Sequence, residues 1–313
     1  MFAGLLNAAA GVFHALAAAL AAAVGLSGAA PQPPLLDAAC DGRLVLRQGA
    51  TVASDELTEI SGVVESRART GVLWVHNDSG DTARIFAIGL DGRTLGTFGL
   101  AGIQARDWED IAAGPGPVAG LRYLFVGDIG DNDQERATVT VLRLREPVVN
   151  PSAASPATGT VEAVDVLVLR YPDGPHNAET LMVDPRSGDL VIVTKELDGR
   201  AGVFRAPRRL ADGSETTLRR VATLPLGFGT LVTGGDVARS GNLVALRTYG
   251  SVLLYARPAR KPLWAAFKTQ PCSGIAPPEQ QGEAIALRTG GRAYVTVGEG
   301  EHPRVYRVEI RKR

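Results

Sequence analysis

Short apolar runs separated by turn residues recur along most of the chain. Runs such as VLWVHN and YLFVGD are rich in Val, Leu and aromatic residues, and Gly, Pro, Asp or Asn bounds them. The pattern predicts many short β-strands joined by turns rather than long amphipathic helices. The 37 Gly and 19 Pro residues agree with this prediction.

The apolar runs come in groups of four. The groups begin near positions 59, 109, 179, 232 and 283. One group therefore occupies between about 45 and 70 residues, which is the length of a propeller blade. The last group is one run short, and the lone run at 43–52 supplies the missing strand and closes the ring. The sequence predicts an all-β fold, a β-propeller of four-stranded blades formed by residues 41–313.

Five blades are favoured over six. A sixth blade would need strands within segment 146–164, which is long enough to hold them. The Pro, Ser and Ala content of this segment instead favours an exposed loop.

The N-terminal stretch differs from the rest of the chain in charge. No Asp, Glu, Lys or Arg lies between Phe2 and Ala30, and the run ALAAALAAAVGL is followed by small residues. This pattern predicts an export signal in residues 1–30, cleaved near Ala29 or Ala30, and a linker at 31–40. An uncleaved membrane anchor is the alternative. Either way, we expect a protein that is secreted or held in the periplasm or cell envelope.

The chain has two cysteines, Cys40 and Cys272. Two cysteines in an exported chain most often form one disulfide. In a ring of blades, Cys40 precedes the closing strand and Cys272 follows the outer strand of blade four, so a bond between them would fasten the seam. Two unpaired buried thiols are the alternative.

The formal net charge is zero. Long-range electrostatics therefore gives no support to a nucleic acid or an anionic membrane as partner. We expect a monomer without a nucleic-acid partner, which contacts a membrane only through an uncleaved N-terminal segment.

Acidic residues mark the start of four of the five inner strands. The inner strands of a propeller line its channel, so these side chains should meet at one end. Crowded carboxylates repel one another unless a cation, a base or protonation compensates. Ca²⁺ accepts six to eight oxygen ligands and is the expected cofactor; alternatively, the glutamates bond backbone amides of the next blade. The candidate ligands are Glu59, Glu109, Glu179, Thr233 and Glu283, with Asp236 in blade four if the register slips.

Loops of the form D-x-G-D follow the second strand of the first two blades. In four blades an acid precedes an arginine just before the third strand, which favours a role in closing the turn. These pairs are Asp81 with Arg84, Asp131 with Arg136, Asp198 with Arg200, and Glu301 with Arg304. Further polar candidates on the same face are Asp78, Asp128, Asp131, Asp236, Glu299 and His302.

All three histidines that follow the export signal are predicted on this face. Together with Lys195 and Arg247, His76, His176 and His302 would form a polar bowl around the acidic centre. Such a bowl suits a phosphorylated or otherwise anionic small ligand held through a cation. The chain contains no G-x-S-x-G elbow, P-loop or helix-opening G-x-G-x-x-G. Serine hydrolases and Rossmann dehydrogenases are therefore poor interpretations.

Several segments resemble known propeller families. HNDSGD, WEDIA, GDIGDN, HNAETLMVDPRSGDLVIVTKE and VTGGDVARSGNLVALRTY resemble bacterial exported β-propellers of the phytase-like and gluconolactonase-like groups, over residues 41–313. More distantly, ELTEISGVVES followed by VLWVHNDSGDTARIFAI is similar to the first blade of five-bladed calcium-activated nucleotidases (apyrases). That family holds an axial calcium with one Glu or Ser per blade. The resemblance implies that the ligands of an axial calcium are Glu59, Glu109, Glu179, Thr233 and Glu283.

Two functions follow from these patterns. The first is metal-assisted hydrolysis of a small phosphate or carboxylic ester, in which Arg247 or Lys195 holds the anion and His76 or His176 moves a proton. The second is a non-catalytic module that binds a ligand or an envelope partner, with a structural metal or none.

Overall fold

The computed structural model describes residues 32–312, in which strands dominate. Helix α1 (Pro34–Cys40) and strand β1 (Leu44–Arg47) come first. Blade one holds β2 (Ile60–Glu65), β3 (Val72–Asn77), β4 (Arg84–Gly89) and β5 (Thr94–Leu100). Blade two holds β6 (Trp108–Pro115), β7 (Arg122–Asp128), β8 (Val139–Arg145) and β10 (Val164–Arg170). Blade three holds β11 (Ala178–Val183), β12 (Leu190–Thr194), β13 (Arg200–Ala206) and β15 (Arg219–Pro225). Blade four holds β16 (Val232–Val237), β17 (Leu243–Thr248), β18 (Val252–Ala256) and β19 (Cys272–Gly274). Blade five holds β20 (Ala284–Leu287), β21 (Ala293–Val297), β22 (Tyr306–Ile310) and β1.

The five-bladed propeller predicted from the repeat is confirmed. Strand β1 pairs antiparallel with β22, from Leu44 opposite Ile310 to Arg47 opposite Arg307. The first strand of the domain therefore completes the last blade. The inner strands β2, β6, β11, β16 and β20 contact one another in a closed ring.

Segment 146–164 holds no sixth blade, but it is more than a loop. Strand β9 (Ala157–Val161) lies within it and pairs in parallel with β5 on the outer edge of blade one. A second edge strand, β14 (Glu215–Thr217), pairs in parallel with β10 of blade two. Both strands cover backbone groups that an open sheet edge would leave unpaired.

Apolar side chains fill the space between neighbouring blades. Five buried clusters are present in the described chain, one between each pair of adjacent blades. An inner or second strand is therefore covered on both faces, which explains why β3 is buried along its whole length. The near-continuous apolar runs in the sequence are the consequence of this packing.

The seam between blades four and five carries the disulfide Cys40–Cys272, as predicted, with Cα atoms 5.1 Å apart. Residues 34–40, assigned to a linker, instead form helix α1, whose Leu35 and Leu36 are buried between these blades. Run 262–270 was expected to form the outer strand of blade four, but it contains a 3-10 helix at Leu263–Lys268. Its buried residues are three apart, so their period suits a helix rather than a strand.

All five core clusters, the closing strand and the disulfide lie within residues 32–312. This part of the chain forms one compact unit, in which β1 and the disulfide close the ring. No helix within it is long and apolar enough to cross a membrane. The predicted export signal, its cleavage near Ala29 or Ala30 and the alternative anchor lie outside the described residues.

The loops divide between two opposite faces. We call the end at which the inner strands begin the mouth face, which comprises the loops 53–59, 78–83, 101–107, 129–138, 171–177, 195–199, 226–231, 249–251, 275–283 and 298–305. We call the opposite end the basic face, which comprises the loops 66–71, 90–93, 116–121, 146–156, 184–189, 207–214, 238–242, 257–271 and 288–292 with the adjoining ends of strands.

Candidate functional site

One extra residue is inserted at the same place in four of the five inner strands. In blade one the pairing with the second strand shifts between Ile60 and Gly62, and blades two, three and four show equivalent shifts. A β-bulge of this kind re-aims a side chain and often lies beside a functional site. The extra residues are Ser61, Glu109, Glu179 and Thr233. In blade five, Glu283 directly precedes β20.

Blade one contributes a serine at this position, which corrects the sequence prediction. Glu59, the ligand predicted for this blade, lies two residues earlier and is exposed. The Ser61 hydroxyl donates a hydrogen bond to the backbone oxygen of Glu109 at 2.6 Å. The Thr233 hydroxyl donates in the same way to the backbone oxygen of Gly282 at 2.7 Å. Both hydroxyls therefore connect adjacent blades beside the channel.

Three glutamates from three blades are buried at the mouth. Glu109, Glu179 and Glu283 are each 4% exposed. Burial, to which repulsion from neighbouring carboxylates adds, raises the pKa of Glu179 to about 7 and that of Glu283 to about 8. The same causes raise the pKa of Glu109 well above its usual range. These glutamates are therefore held in a site that disfavours their charged forms.

Two aspartates extend this group. Asp78 follows β3 and Asp107 precedes β6; one carboxylate oxygen from each lies within 4.8 Å of the other and of one Glu109 oxygen. Burial raises the pKa of both aspartates, to about 6 for Asp78. Sequence reasoning missed Asp107. The signal was available in the segment DWED, which places a second carboxylate two residues before Glu109.

Several carboxylate oxygens at the mouth have no hydrogen-bond partner within residues 32–312. They are Oδ1 of Asp78, Oε2 of Glu179 and Oε2 of Glu283. A buried oxygen without a partner costs free energy, and native proteins contain few of them. These oxygens are consequently available to a cation or to another ligand.

The alternative to a metal site was that the glutamates bond backbone amides of the next blade. Two aspartates make hydrogen bonds of this kind. The Asp110 carboxylate accepts the backbone N–H of Leu181 in blade three at 2.9 Å. The Asp236 carboxylate accepts the backbone N–H of Leu287 in blade five at 2.7 Å. Both aspartates thus join adjacent blades through backbone amides, and Asp236 is committed to this contact.

The candidate proton carriers are both engaged. His76 is fully buried, its Nδ1 lies 2.8 Å from the backbone oxygen of Asn77, and burial lowers its pKa to about 4. Both ring nitrogens of His176 contact carboxylates, Glu196 at 2.9 Å and Asp173 at 3.1 Å. The hydrogen bond with Glu196, supported by Asp173, raises the pKa of His176. Both nitrogens of His176 are thus occupied, whereas Nε2 of His76 is buried without a hydrogen-bond partner within residues 32–312.

The two cations proposed to hold an anion already pair with acids. Lys195 donates to Glu179, and its Nζ lies 2.8 Å from the hydroxyl of Tyr249. Arg247 is fully buried and donates to Glu279 at 2.7 Å. Lys195 is therefore part of the mouth, whereas Arg247 is enclosed between blades four and five.

The loops between second and third strands hold their own acids. Asp81 pairs with Arg84 at 2.9 Å. Asp131 accepts the backbone N–H of Arg136 at 2.9 Å, while the Arg136 side chain pairs with Asp128 at 2.7 Å. These contacts fit the turn-closing interpretation of the D-x-G-D segments.

The remaining predicted residues lie at the rim of the mouth face. Glu299 accepts a hydrogen bond from Gln281. His302 is half exposed, and its Nε2 lies 3.4 Å from a carboxylate oxygen of Asp55. Neither belongs to the group of Asp78, Asp107 and Glu109.

Comparison with known proteins gives a limited result. No protein-family model and no curated protein matches the chain. Among solved structures, it is similar to an auxiliary nutrient binding protein from Bacteroides thetaiotaomicron VPI-5482, with 8% sequence identity and a TM-score of 0.46. The likeness covers 86% of this chain and 77% of that protein. The resemblance to phytase-like propellers and to calcium-activated nucleotidases stays a prediction.

Proposed function

We propose that this propeller is a binding module that holds a divalent cation, Ca²⁺ by preference, at its mouth. The observation that supports the proposal best is the set of buried carboxylate oxygens without partners on Asp78, Glu179 and Glu283. Asp78 also belongs to the group of Asp78, Asp107 and Glu109, in which one carboxylate oxygen of each residue lies within 4.8 Å of the others. Asp78, Asp107 and Glu109 would hold the cation, with Glu179 and Glu283 beside it.

The chemistry of the donors favours calcium over other metals. Every candidate donor is an oxygen, and the donors come from loops and strand ends of different blades. Ca²⁺ accepts several oxygens in a flexible geometry, whereas Mg²⁺ requires a strict octahedron and retains its waters. Zn²⁺ prefers His and Cys, which the group of Asp78, Asp107 and Glu109 does not contain.

Binding is favoured over hydrolysis because each of the four candidate catalytic residues is either fully buried or already paired with a carboxylate. His176 is held by two carboxylates, His76 and Arg247 are fully buried, and Lys195 is paired with Glu179. Metal-assisted hydrolysis would need a group free to move a proton near the cation. The Cys40–Cys272 disulfide supports a location in an oxidising compartment, consistent with export.

The test is calcium titration of residues 32–313 by calorimetry, with the melting temperature measured in parallel. The wild type should bind calcium and melt at a higher temperature when calcium is present. In Glu283→Gln the calcium affinity should fall, while the metal-free melting temperature at neutral pH should change little. The reason is that Glu283, with a pKa of about 8, is already mostly protonated there.

Glu301→Gln is the matched control, since Glu301 is an exposed carboxylate on the same face. It should leave both the affinity and the calcium-induced shift unchanged. If the wild type binds no calcium, or if both variants lose affinity equally, the mouth is not a specific cation site.

A further inference from the structure

Charge is distributed unevenly between the two ends of the ring. Acids predominate in the loops of the mouth face, whereas arginines predominate in those of the basic face. The arginines nearest the axis on the basic face include Arg67 and Arg239, and burial and the neighbouring Arg67 lower the pKa of Arg239. The formal net charge of zero therefore conceals one negative and one positive face.

Three arginines on the basic face surround a cavity of about 310 Å³ between blades one and two. Arg69, Arg122 and Arg145 line it and are exposed. No carboxylate of residues 32–312 forms an ion pair with any of them. Glu146, the acid within this cavity, accepts hydrogen bonds from Ser66 and, at 3.0 Å, from Nε1 of Trp74. The three guanidinium groups thus have no ion-pair partner within residues 32–312, and the single carboxylate of Glu146 leaves the cavity positive.

Apolar side chains project beside these arginines. Val148 is 82% exposed and lies in the loop that follows β8, at the rim of the cavity. Leu121, across the cavity, is 39% exposed, and Val118 on the same loop is 48% exposed. Arginines that flank exposed apolar residues match the layered chemistry of a bilayer surface, where headgroup phosphates lie above acyl chains.

The described chain also begins on this face. Pro33 and Pro34 line a second cavity, again about 310 Å³, together with Arg239 and Arg288. The preceding residues 2–30 contain no Asp, Glu, Lys or Arg. Pro33 and Pro34 thus place the start of the described chain among arginines of the basic face.

From these three observations we infer that the basic face docks on the surface of a bilayer rich in anionic lipid, with the mouth turned toward the solvent. Arg69, Arg122 and Arg145 contact headgroup phosphates, and Val148 enters the interface. A nucleic acid would satisfy the arginines but would give exposed valine and leucine no apolar partner. This inference is independent of cation binding at the mouth.

Vesicle sedimentation tests the inference. Residues 32–313, which lack the apolar stretch, are mixed in the presence of a chelator with vesicles of phosphatidylcholine alone or of phosphatidylcholine with phosphatidylglycerol. The protein should sediment with the anionic vesicles and not with the neutral ones. Binding should disappear at about 1 M salt, where the Debye length is about 3 Å. Binding that requires calcium would place the contact at the mouth and overturn the inference.

Charge-reversal variants test whether vesicle binding depends on the position of the arginines or only on the net charge of the protein. The triple variant Arg69→Glu, Arg122→Glu and Arg145→Glu should bind anionic vesicles more weakly by on the order of 100-fold, given about 1 kcal/mol for each basic residue near the surface. The matched control reverses Arg106, Arg200 and Arg304, three exposed arginines on the mouth face without side-chain ion pairs to residues 32–312. The control changes the net charge equally and should keep its affinity. Equal losses in both variants contradict docking through the basic face.

A second pair of variants tests the apolar contact. Val148→Ser should weaken vesicle binding by about tenfold, because full burial of a valine side chain contributes about 1.5 kcal/mol. Phe228→Ser is the control, since Phe228 is 83% exposed but lies on the mouth face. Equally tight binding to dextran sulfate or an oligonucleotide, with the same loss in the arginine triple variant, would indicate a general polyanion surface and overturn the membrane assignment.

Discussion

Buried carboxylates occur at both ends of the channel, but their partners differ. On the basic face, Asp184 pairs with Arg257 through two hydrogen bonds, at 2.7 and 2.9 Å, and also accepts the backbone N–H of Arg186. At the mouth, Glu283 has no hydrogen-bond donor within residues 32–312 for one of its oxygens. Burial alone would raise the pKa of Asp184, yet the Arg257 hydrogen bonds bring it below its usual range, whereas that of Glu283 rises to about 8.

The difference in hydrogen-bond partners distinguishes an acid that stabilises the fold from an acid that is available to a ligand. A saturated buried acid such as Asp184 holds elements in place, and the fold needs nothing further from it. An unsaturated buried acid such as Glu283 destabilises the ring until something binds it. The mouth therefore carries the functional hypothesis, even though the basic face contains two cavities of about 310 Å³ each.

The largest expected effect is a loss of stability when Asp184, the hydrogen-bonded acid of the basic face, is replaced. Asp184→Asn leaves Arg257 buried without a counter-charge and should lower the free energy of unfolding by about 3–5 kcal/mol. Urea denaturation measures it, with Asp91→Asn as control, because Asp91 is an exposed acid on the same face. A loss no greater than that of the control would show that the Asp184 pair is not structural.

Replacement of Lys195, the positively charged side chain at the mouth, should strengthen calcium binding. Lys195→Met deletes the ammonium that competes with a metal ion for Glu179. Two unit charges about 4 Å apart interact by about 1–4 kcal/mol between bulk water and a protein surface. Calcium affinity should therefore rise by at least about fivefold in calorimetric titration. A fall in affinity would instead mean that Lys195 organises the site.

The raised pKa values predict a specific dependence of stability on pH. Glu179 and Glu283 bind protons more tightly in the folded state, with pKa values of about 7 and 8, than in the unfolded chain. Their stabilising contribution is complete below the unfolded pKa of about 4.3 and is lost as pH rises toward 8, by up to about 1.4 kcal/mol for each proton and pH unit.

Saturating calcium should reduce this loss, because the ion stabilises the charged carboxylates. Melting curves from pH 4 to 8 with calcium or with chelator provide the measurement. The Glu283→Gln variant, which cannot titrate at this position, should show a flatter profile. Identical slopes with and without calcium would contradict a role of these glutamates in binding.

The smallest effect is expected in the turn loops. Asp81→Asn breaks a partly exposed pair with Arg84 and should cost only about 0.2–1 kcal/mol. It should leave calcium affinity unchanged, because Asp81 lies outside the group of Asp78, Asp107 and Glu109. A large loss of affinity would show that the loop positions Asp78.

The five-bladed ring could be predicted from the sequence because each blade appears as a group of apolar runs. Four runs per group, a lone run before the first group and an incomplete last group predict five blades and the closing strand. The exceptions are local. Residues 34–40 and 263–268 are helical although they adjoin strands, because their buried residues recur with a helical period.

The site was less predictable for two physical reasons. The apolar pattern aligned Glu59 with Glu109, but the bulge residue of blade one that corresponds to Glu109 is Ser61, two residues after Glu59. Asp78 of blade one approaches Asp107 and Glu109 of blade two only because the two blades meet at the mouth, and linear spacing does not encode that approach. The formal net charge likewise says nothing about the side of the ring on which each charge lies.

The disulfide has a mechanical consequence. Strand β1 is the outer strand of blade five and joins β22 through four pairs of residues, from Leu44 to Arg47. Cys40 precedes this strand and is bonded to Cys272 on the outer strand of blade four. Tension applied to the chain ahead of Cys40 passes through the covalent bond into blade four before it can peel β1 from its neighbour. The covalent bond therefore shields the pairing of β1 with β22 from a pull on the chain ahead of Cys40.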